Sequence, residues 1–268
     1  MNAFPLLLLL PLADVAADST LLLQTTSSAA DEGEQRRSQL QWDWQAAPAW
    51  QLQWHHDYRI LAFPASPAEP ANNGHLHQLS LALTFEQSPW QFRLQPVIAT
   101  SSNALRDRAL HSDDLRWQGE WALRFSADTE ATWRFALRLD DQLGRYRWYP
   151  GFSWQPALPT GVQLQLGWPR TELCWSFADT WQWHGFVMPA GAQWHVYDET
   201  RSRDSELYFR QWQFGGELHW QLHEQGQLRL GLQRNLSQQL RYALENGDKH
   251  RLTLPDQTAW TLSLQWQF

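Results

Sequence analysis

Several arginines of this chain lie on alternate positions in segments whose other positions are large and apolar. In the segment 131–140, for example, Arg134 and Arg138 alternate with tryptophan, phenylalanine and leucine. Because successive side chains of a strand point to opposite faces, such a segment has one apolar face and one charged face. The guanidinium group pairs with carboxylates or phosphates through two hydrogen bonds and stacks on aromatic rings, so an arginine-rich face suits anion binding.

The charged faces predict a polar interior with an excess of arginine. Sorting the segments by their alternation places seven arginines and four carboxylates opposite the apolar residues. Two interpretations stay open: the charges neutralise one another across neighbouring strands and fill a narrow lumen, or they line a pore or pocket that favours anionic solutes. The candidate lumen-lining residues are Arg93, Arg116, Glu120, Arg124, Arg134, Arg138, Arg147, Glu172, Glu217, His219 and Arg229, with Asp140 beside them.

The composition fits strands that have one lipid-facing side. The 268 residues include 19 Trp, 12 Phe and 6 Tyr, yet the mean hydropathy is −0.55. A transmembrane barrel combines both properties, because lipid-facing and lumen-facing residues alternate and aromatic girdles mark both interfaces. The single cysteine, Cys174, excludes a disulfide framework and a cysteine-based metal site, and the net charge of −7 argues against a nucleic-acid partner.

The segment 260–268 continues the alternation without interruption. Each of its even positions is large and apolar and each odd position is polar, which predicts a strand with one apolar face. A strand of this kind resembles the assembly signal of Gram-negative outer-membrane β-barrels, which implies an outer-membrane location and recognition by the barrel-assembly machinery. The predicted signal residues are Trp260, Leu262, Leu264, Trp266 and Phe268.

The N-terminal segment is typical of an exported protein. The apolar run 3–12 is too short to span a bilayer as a helix, and small residues follow it at Val15 and Ala17. We therefore expect a cleaved signal peptide over 1–17, a flexible periplasmic lead-in over 18–37 and an outer-membrane barrel over 38–268.

Alternating segments predict an antiparallel up-and-down transmembrane barrel. Thirteen segments qualify, and bacterial barrels have even strand numbers. We favour about twelve strands, with 38–45 outside the membrane; ten and fourteen are the alternatives, the latter if 21–26 is also a strand. Short connections alternate with long polar ones, which predicts periplasmic turns and extracellular loops. The segments are 38–45, 50–62, 75–85, 90–100, 114–125, 131–140, 146–155, 161–168, 171–177, 181–188, 206–222, 227–243 and 259–268.

The C-terminal half contains a spaced series of short motifs, among them Tyr149-Pro150-Gly151-Phe152 and Trp168-Pro169-Arg170. Over about 146–268 the chain resembles an uncharacterised family of bacterial outer-membrane β-barrel proteins. The resemblance implies a fold and a location but no established activity. Read from the residues alone, each proline falls near a strand end or a bulge, where a missing hydrogen-bond donor is tolerated.

Signals for catalysis or metal binding are weak. Lipid-modifying barrel enzymes generally place a histidine beside a hydroxyl nucleophile on the outer face. His56 and His77 are predicted to face outward on adjacent strands, with Thr100 on the next strand, but no outward serine was found beside them. Histidine in an interfacial aromatic girdle explains these residues more simply. We therefore expect no catalytic residues, no metal site and no cofactor.

The expected function follows from the arginine-rich interior. The leading hypothesis is a small passive channel or transport-related barrel whose lumen favours anions. The alternative is a closed structural or interaction barrel that presents its extracellular loops to a partner, and a lipid-active enzyme is a third, weaker hypothesis. Outer-membrane lipid, lipopolysaccharide and the assembly machinery are the expected partners, and the sequence indicates no functional partner.

Overall fold

The computed structural model describes residues 19–30, 33–62, 74–107, 110, 112–126, 131–198, 203–244 and 249–268. The predicted signal peptide, 1–17, lies outside the described residues. The helical segments within them are α1 (Ser102–Asp107) and a 3-10 turn (Ser112–Asp114). No helix in the described ranges is long and apolar enough to cross a membrane.

Strands account for most of the described residues, as their alternation of apolar and polar side chains predicts. Each predicted segment from 50–62 onward contains a strand, and the predicted segment 181–188 continues ten residues further. The strands are β1 (Ser19–Ala30), β2 (Gly33–Ala47), β3 (Trp50–Ala62), β4 (His75–Gln87), β5 (Trp90–Ser101), β6 (Leu115–Ser126), β7 (Thr132–Asp140), β8 (Arg147–Gln155), β9 (Val162–Trp168), β10 (Thr171–Ala178), β11 (Trp181–Asp198), β12 (Arg203–His223), β13 (Gly226–Leu244), β14 (Lys249–Thr253) and β15 (Gln257–Gln267).

Antiparallel pairing closes the described strands into a ring. Each strand from β1 to β13 pairs with the next, and β15 pairs with both β13 and β1. β14 pairs with β13 alone, so fourteen of the fifteen described strands form the barrel wall. Closure satisfies backbone hydrogen bonds that an open sheet edge would expose to lipid. The predicted all-β, up-and-down barrel is confirmed.

The start of the barrel differs from the prediction. β1 occupies part of the expected flexible lead-in, 18–37, and pairs with β15 from Thr20 to Ser28 and with β2 along its whole length. The strand number is therefore fourteen, the alternative that required 21–26 to be a strand, instead of about twelve. The physical reason is that β15 needs a second neighbour, and Leu23 continues the outward apolar row of Leu264.

The outer face of the wall is apolar and carries aromatic side chains near both ends. Leu94, Phe135 and Leu232 are 52%, 51% and 63% exposed. Rings stack between neighbouring strands, as in the Trp181–Trp220 pair near the periplasmic turns, whose centroids are 5.2 Å apart. An apolar belt between aromatic girdles is the lipid-facing surface of a transmembrane barrel.

The end of the barrel with the long connections is the predicted extracellular end. There the ends of three strands leave the wall and cross the mouth of the barrel. We call residues 190–198, 203–210 and 238–244, the ends of β11, β12 and β13, the leaf. Within it, β11 pairs in parallel with β5 through His195 and Thr100. Five strands, β6 to β10, separate β5 from β11 in the wall below, so the ring narrows at its extracellular end.

An apolar core fixes the leaf against the wall formed by β3, β4 and β5. Trp194 and Val196 are completely buried, as is Leu76 on the facing wall. Burying one large apolar side chain contributes about 1.5–3 kcal/mol, so the leaf is held as firmly as part of a soluble protein's core. The core residues are Leu61, Leu76, Val97, Ala99, Ala192, Trp194, Val196, Leu207, Phe209, Leu240, Tyr242 and Leu254.

Candidate functional site

Charged side chains of the predicted lumen meet across neighbouring strands. Glu120 on β6 lies directly opposite Arg138 on β7 in the strand register. The Arg138 Nε atom lies 2.8 Å from a Glu120 carboxylate oxygen, and Arg134 donates to the other oxygen of the same carboxylate. The two arginines thus share the Glu120 carboxylate, and a second carboxylate oxygen, on Asp140, lies 3.6 Å from Arg138 Nε, which fits the filled-lumen interpretation.

Several other predicted lumen residues have ionic partners too. One partner, Glu206, belongs to the leaf, so Arg116 links the wall to the leaf. The exposed Arg124 pairs with Glu86, a carboxylate that the sequence-based list did not include. The pairs are Arg116–Glu206 (2.9 Å), Arg124–Glu86 (2.7 Å), Arg170–Glu172 (2.6 Å) and His219–Glu217 (3.1 Å).

Two predicted arginines bind amide oxygens instead of carboxylates in their described hydrogen bonds. Arg93 donates to the side chains of Gln53 and Gln95, and Arg229 donates to two glutamines in the same way. An amide oxygen satisfies the donors but leaves the positive charge in place. The two strands that carry these arginines, β5 and β13, are six steps apart around one side of the ring and eight around the other. Their charges therefore lie on opposite sides of the lumen.

A buried charge cluster beneath the leaf was missed by sequence reasoning. Asp57 is 1% exposed, and its carboxylate lies 2.7 Å from Arg37 Nη2 and 2.8 Å from Arg59 Nη2. The guanidinium of Arg59 stacks on the Trp194 ring at 5.1 Å, which joins the cluster to the leaf. The alternation within 50–62 predicts inward positions for Asp57 and Arg59, whereas Arg37 falls in the predicted lead-in.

Arg147 belongs to an arginine group at the extracellular end, and we call this group the mouth cluster. Arg145, Arg147, Arg210 and Arg241 line a pocket of about 120 Å³. Gln239 accepts hydrogen bonds from Arg210 at 2.9 Å and from Arg241 at 3.2 Å. No acidic residue is among the described residues that line the pocket. Like charges held this close attract a multivalent anion.

The polar face of the leaf is bound by the extracellular connection 141–146. The Gln193 backbone N–H donates to Asp141 Oδ2 at 3.0 Å. Burial raises the pKa of Asp141 to about 6. A Cβ atom on Gly191 would lie 2.4 Å from the backbone nitrogen of Gly144, so the two segments approach as closely as glycine permits. Contacts on both faces of the leaf thus close the extracellular mouth.

A hydrogen-bonded chain of three side chains lies on the outer face near the extracellular end. His77 Nε2 is 2.8 Å from Ser102 Oγ, and His77 Nδ1 is 3.3 Å from His56 Nε2. Ser102 is the outward serine that the sequence-based prediction missed. Thr100, which is predicted to face outward, is fully buried, and Ser102 begins α1, so the alternation of 90–100 gives no signal for this serine.

The predicted assembly-signal residues lie on β15 and at its end. The apolar side chains of β15 align with the outward rows of its neighbours β1 and β13. The Phe268 backbone N–H donates to the Ser19 carbonyl oxygen at 2.9 Å. Their role in assembly stays a prediction. The exposed fractions are 52% for Trp260, 40% for Leu262, 41% for Leu264, 38% for Trp266 and 46% for Phe268.

Metal-ligating side chains occur as neighbours in the lumen. Cys174 Sγ lies 3.0 Å from His184 Nδ1, and the His184 ring stacks on His219 with centroids 3.9 Å apart. In the part of the chain that the structure describes, no group of three or more His, Cys, Asp and Glu could hold a metal ion. The expectation of no metal site stays a prediction.

An apolar groove of about 850 Å³ opens on the outer wall between β10 and β13. Gly185 and Gly216 lie opposite each other at outward positions, and the Trp183 ring packs over both of them. The outward residues Leu173, Phe214 and Leu232 border the groove. Glu172 and Glu217 of the inward rows line it too, so the groove has an apolar outer part and a polar inner part.

Comparisons with known proteins find relatives of the fold among solved structures. No protein-family profile and no curated protein matches the chain. A "Bacterial polysaccharide outer membrane secretin" has a TM-score of 0.48 at 7% identity and covers 95% of this chain and 100% of its own. A NanC porin has a TM-score of 0.43 at 8% identity (92% and 100% covered), and a KdgM porin 0.40 at 6% (93% and 99%). Likeness this distant carries no argument about function, and the barrel rests on its own strand pairing.

Proposed function

We propose that the protein is a bacterial outer-membrane channel for small anionic solutes whose extracellular mouth is held closed by the leaf. The observation that carries the proposal is the placement of Arg93 and Arg229 on opposite sides of the lumen with amide oxygens as hydrogen-bond partners. Positive charges whose hydrogen-bond partners are uncharged amides attract anions and repel cations inside a pore. Fourteen strands also enclose more space than the eight that side chains just fill.

The mouth cluster supports the same preference for anions. Its four arginines stand at the extracellular end, where they would raise the local anion concentration before entry. The apolar belt and girdles suit the outer membrane. For biogenesis, we infer that 1–17 direct export and that the apolar face of β15, with Phe268, is recognised by the barrel-assembly machinery.

The core beneath the leaf favours a second candidate, a closed barrel that presents its extracellular surface to a partner. Trp194, Leu207 and Phe209 are at most 2% exposed, as in a permanently folded domain. A channel that opens must separate these contacts or bypass them. The two candidates therefore differ in whether ions pass through the barrel once the leaf is loosened.

Conductance of the purified barrel in planar bilayers distinguishes the candidates. We expect rare openings of the wild-type protein and frequent openings of Trp194→Ala/Phe209→Ala, because the double variant removes the leaf's two largest fully buried side chains. Under a KCl gradient, the reversal potential of the open state should show anion preference. A folded double variant that passes no current would support the closed barrel.

Selectivity is tested by two matched charge variants in the loosened background. Arg93→Gln/Arg229→Gln should reduce the anion preference several-fold, because it removes the two positive charges whose hydrogen-bond partners are amides. Arg93→Lys/Arg229→Lys should retain the preference, since lysine keeps the charge but not the planar hydrogen bonds. Equal selectivity of the Gln and Lys variants would contradict an arginine-based anion filter.

A further inference from the structure

The chain of Ser102, His77 and His56 lies where the barrel wall meets the outer leaflet. His77 is eight positions along β4 from Phe85, which pairs with the girdle residue Trp50 near the periplasmic turn. A tilted strand rises roughly 20 Å over eight residues, most of the apolar band of about 25 Å. His77 and His56 lie in the outward rows of β4 and β3. The three side chains are thus presented at the level of the lipid ester groups.

The geometry supplies a nucleophile, a base and a group that orients the base. The Ser102 hydroxyl donates to His77 Nε2 at 2.8 Å when the proton of His77 is on Nδ1. That Nδ1–H then donates to His56 Nε2 at 3.3 Å. The His56 and His77 rings are stacked with an interplanar angle of 1°, and Tyr58 packs on His77 at 4.9 Å. His77 is therefore held between neighbours in the orientation that general-base catalysis requires.

We propose that Ser102, His77 and His56 form a serine hydrolase site that cleaves acyl esters of lipids in the outer leaflet. Ser102 Oγ attacks the ester carbonyl carbon while its proton moves to His77 Nε2. The resulting tetrahedral adduct collapses, the bond to the alcohol oxygen breaks, and His77 returns the proton to that oxygen. The products of this half-reaction are the free alcohol and an acyl group esterified to Ser102.

Water completes the cycle. A water molecule from the membrane surface attacks the acyl carbon of the Ser102 ester and gives a proton to His77 Nε2. The second adduct releases the fatty acid, and Ser102 Oγ recovers its proton from His77. His56 touches no reacting atom; it is a positioning residue that accepts the His77 Nδ1–H bond and thereby stabilises the imidazolium in both steps.

The same face contains a histidine that serves as an internal comparison. His75 also faces outward on β4, but Nδ1 of its ring bonds the hydroxyl of Tyr58 instead of a serine. If both histidines were only members of an interfacial girdle, replacing His75 and replacing His77 should have the same effect. Hydrolysis requires His77 and Ser102 and does not require His75. The proposal departs from the expectation of no catalytic residues, and it depends on a surface separate from the lumen.

Two readouts on the full-length folded protein test the site. The protein is reconstituted in phosphatidylethanolamine vesicles that contain a fluorogenic phospholipid ester, and release of fatty acid is followed. A fluorophosphonate probe is then applied, and its attachment site is mapped by mass spectrometry. We expect labelling at Ser102 and turnover that falls at least 100-fold in Ser102→Ala and His77→Gln. His75→Gln should retain turnover within a few-fold.

The role of His56 is tested through the pH profile. His56→Ala should lower turnover about tenfold and shift the pH dependence of turnover, because His77 loses the acceptor for its Nδ1–H. His56→Asn supplies an amide oxygen as a substitute acceptor and should recover part of the rate. A purely structural role would lower the folded fraction without moving the pH profile.

Three outcomes would overturn the proposal. The first is a heat-modifiable, folded wild-type barrel that neither releases fatty acid nor accepts the probe at Ser102. The second is turnover that persists in Ser102→Ala, and the third is equal loss in His75→Gln and His77→Gln. Conductance of Ser102→Ala is measured in parallel and should match wild type, so that failure of the hydrolase and failure of the channel are separate results.

Discussion

The two ends of the barrel are built from the same strands but have opposite interiors. Near the periplasmic turns, the inward positions of β11 are polar, as at Gln182 and His184, and the outward ones are tryptophan. In the leaf, the inward positions are Trp194 and Val196, both fully buried. The lower barrel therefore has an apolar outside and a polar inside, whereas the leaf covers an apolar core with its inner side.

The difference shows how one strand changes environment where it leaves the membrane. The apolar residues of β11 are odd-numbered at Trp181 and Trp183 and even-numbered at Trp194 and Val196. The backbone continues unbroken through the change. What changes is the face that must be apolar, because lipid contacts the wall below and the facing wall contacts the leaf above.

The largest expected effect comes from emptying the leaf core. Trp194→Ala should cost about 3–5 kcal/mol, because it removes a fully buried indole and the stacking partner of Arg59. We expect the leaf to detach while the wall stays folded. Limited proteolysis within 190–210 should accelerate at least 100-fold, and heat-modifiable gel migration should persist.

Val187→Ala is the matched control for the leaf core. Val187 is an outward residue of the same strand, 37% exposed, and lies below the leaf. Its truncation should leave proteolysis of the leaf unchanged. Loss of gel migration in Trp194→Ala would mean that the leaf and the wall fold as one unit and do not differ as the two ends of the barrel suggest.

The lipid-facing wall should respond to charge more than to volume. Leu166 is an outward residue of β9, and Leu166→Arg should destabilise the barrel by about 2–4 kcal/mol if it lies near the bilayer centre. Gln165 is inward and stands opposite Glu172, so Gln165→Arg adds the same charge beside a carboxylate. Urea unfolding in vesicles should separate the two variants. Similar losses would show that the inside and outside of β9 are wrongly assigned.

Most of the wall follows from the sequence, and most of the mouth does not. Period-2 patterns locate strands such as β4 and β6 because each has one lipid face and one polar face. The same rule predicts that the segment beginning at 181 ends at 188. The alternation breaks between Val187 and Ala192, because the apolar residues of β11 change there from one face of the strand to the other. Side-chain pairs between distant parts of the chain are the second feature that alternation does not predict. Arg116 and Glu206, for example, are 90 positions apart in the sequence. Such contacts depend on how the leaf folds back, which no local pattern encodes.

The lead-in shows a different limit. Ser19–Ala30 has few large apolar residues besides Leu21, Leu22 and Leu23, so its composition resembles a flexible segment. It is a strand because β15 and β2 provide hydrogen-bond partners on both sides. Tertiary pairing thus outweighs local composition. Ser102 escapes prediction for another reason, because it begins α1 directly after β5, where strand alternation no longer applies.

The contacts of Asp141 and His195 that keep the leaf in place should weaken as the pH rises. Burial raises the pKa of Asp141 to about 6 from 3.8. Burial lowers the pKa of His195, but hydrogen bonds to Glu206 and Asp204 outweigh it and raise the pKa above 6.5. A group whose pKa is raised in the folded leaf contributes its full stabilisation below its unfolded pKa. This stabilisation is lost as the pH rises through the folded pKa. The contribution of Asp141 to the stability of the leaf should fall by up to roughly 2–3 kcal/mol between about pH 4 and 6. The contribution of His195 should be lost above that pH range.

Bilayer recordings or proteolysis from pH 4 to 8 should check this dependence. We expect more frequent openings and faster cleavage within 190–198 as the pH rises. Asp141→Asn mimics the protonated acid and should flatten the response between about pH 4 and 6 while retaining the part above it. A leaf that tightens with rising pH would contradict the assignment of Asp141 and His195.

The smallest expected effect concerns the bulge that turns the end of β13 inward. Below the bulge, Leu232 faces lipid at an even position; above it, Leu240 and Tyr242 point into the core at even positions too. The change of face is possible because Ser237 has a φ of 52°, a left-handed conformation that inserts one residue opposite β12. A side chain branched at Cβ resists this conformation most.

Ser237→Val should therefore loosen the leaf by about 1–2 kcal/mol relative to Ser237→Gly, because glycine adopts positive φ without steric cost. Both variants keep the hydrogen bond from the backbone N–H of residue 237 to Asp256, which is 3.0 Å long in the wild type. Neither variant changes a side-chain contact of the lipid-facing wall, because the Ser237 side chain is exposed at the bulge. Protease cleavage within the leaf should be roughly tenfold faster in the valine variant, with unchanged unfolding of the wall. If the two variants are cleaved at the same rate, the bulge is not what directs Leu240 and Tyr242 inward, and the change of face along β13 requires another cause.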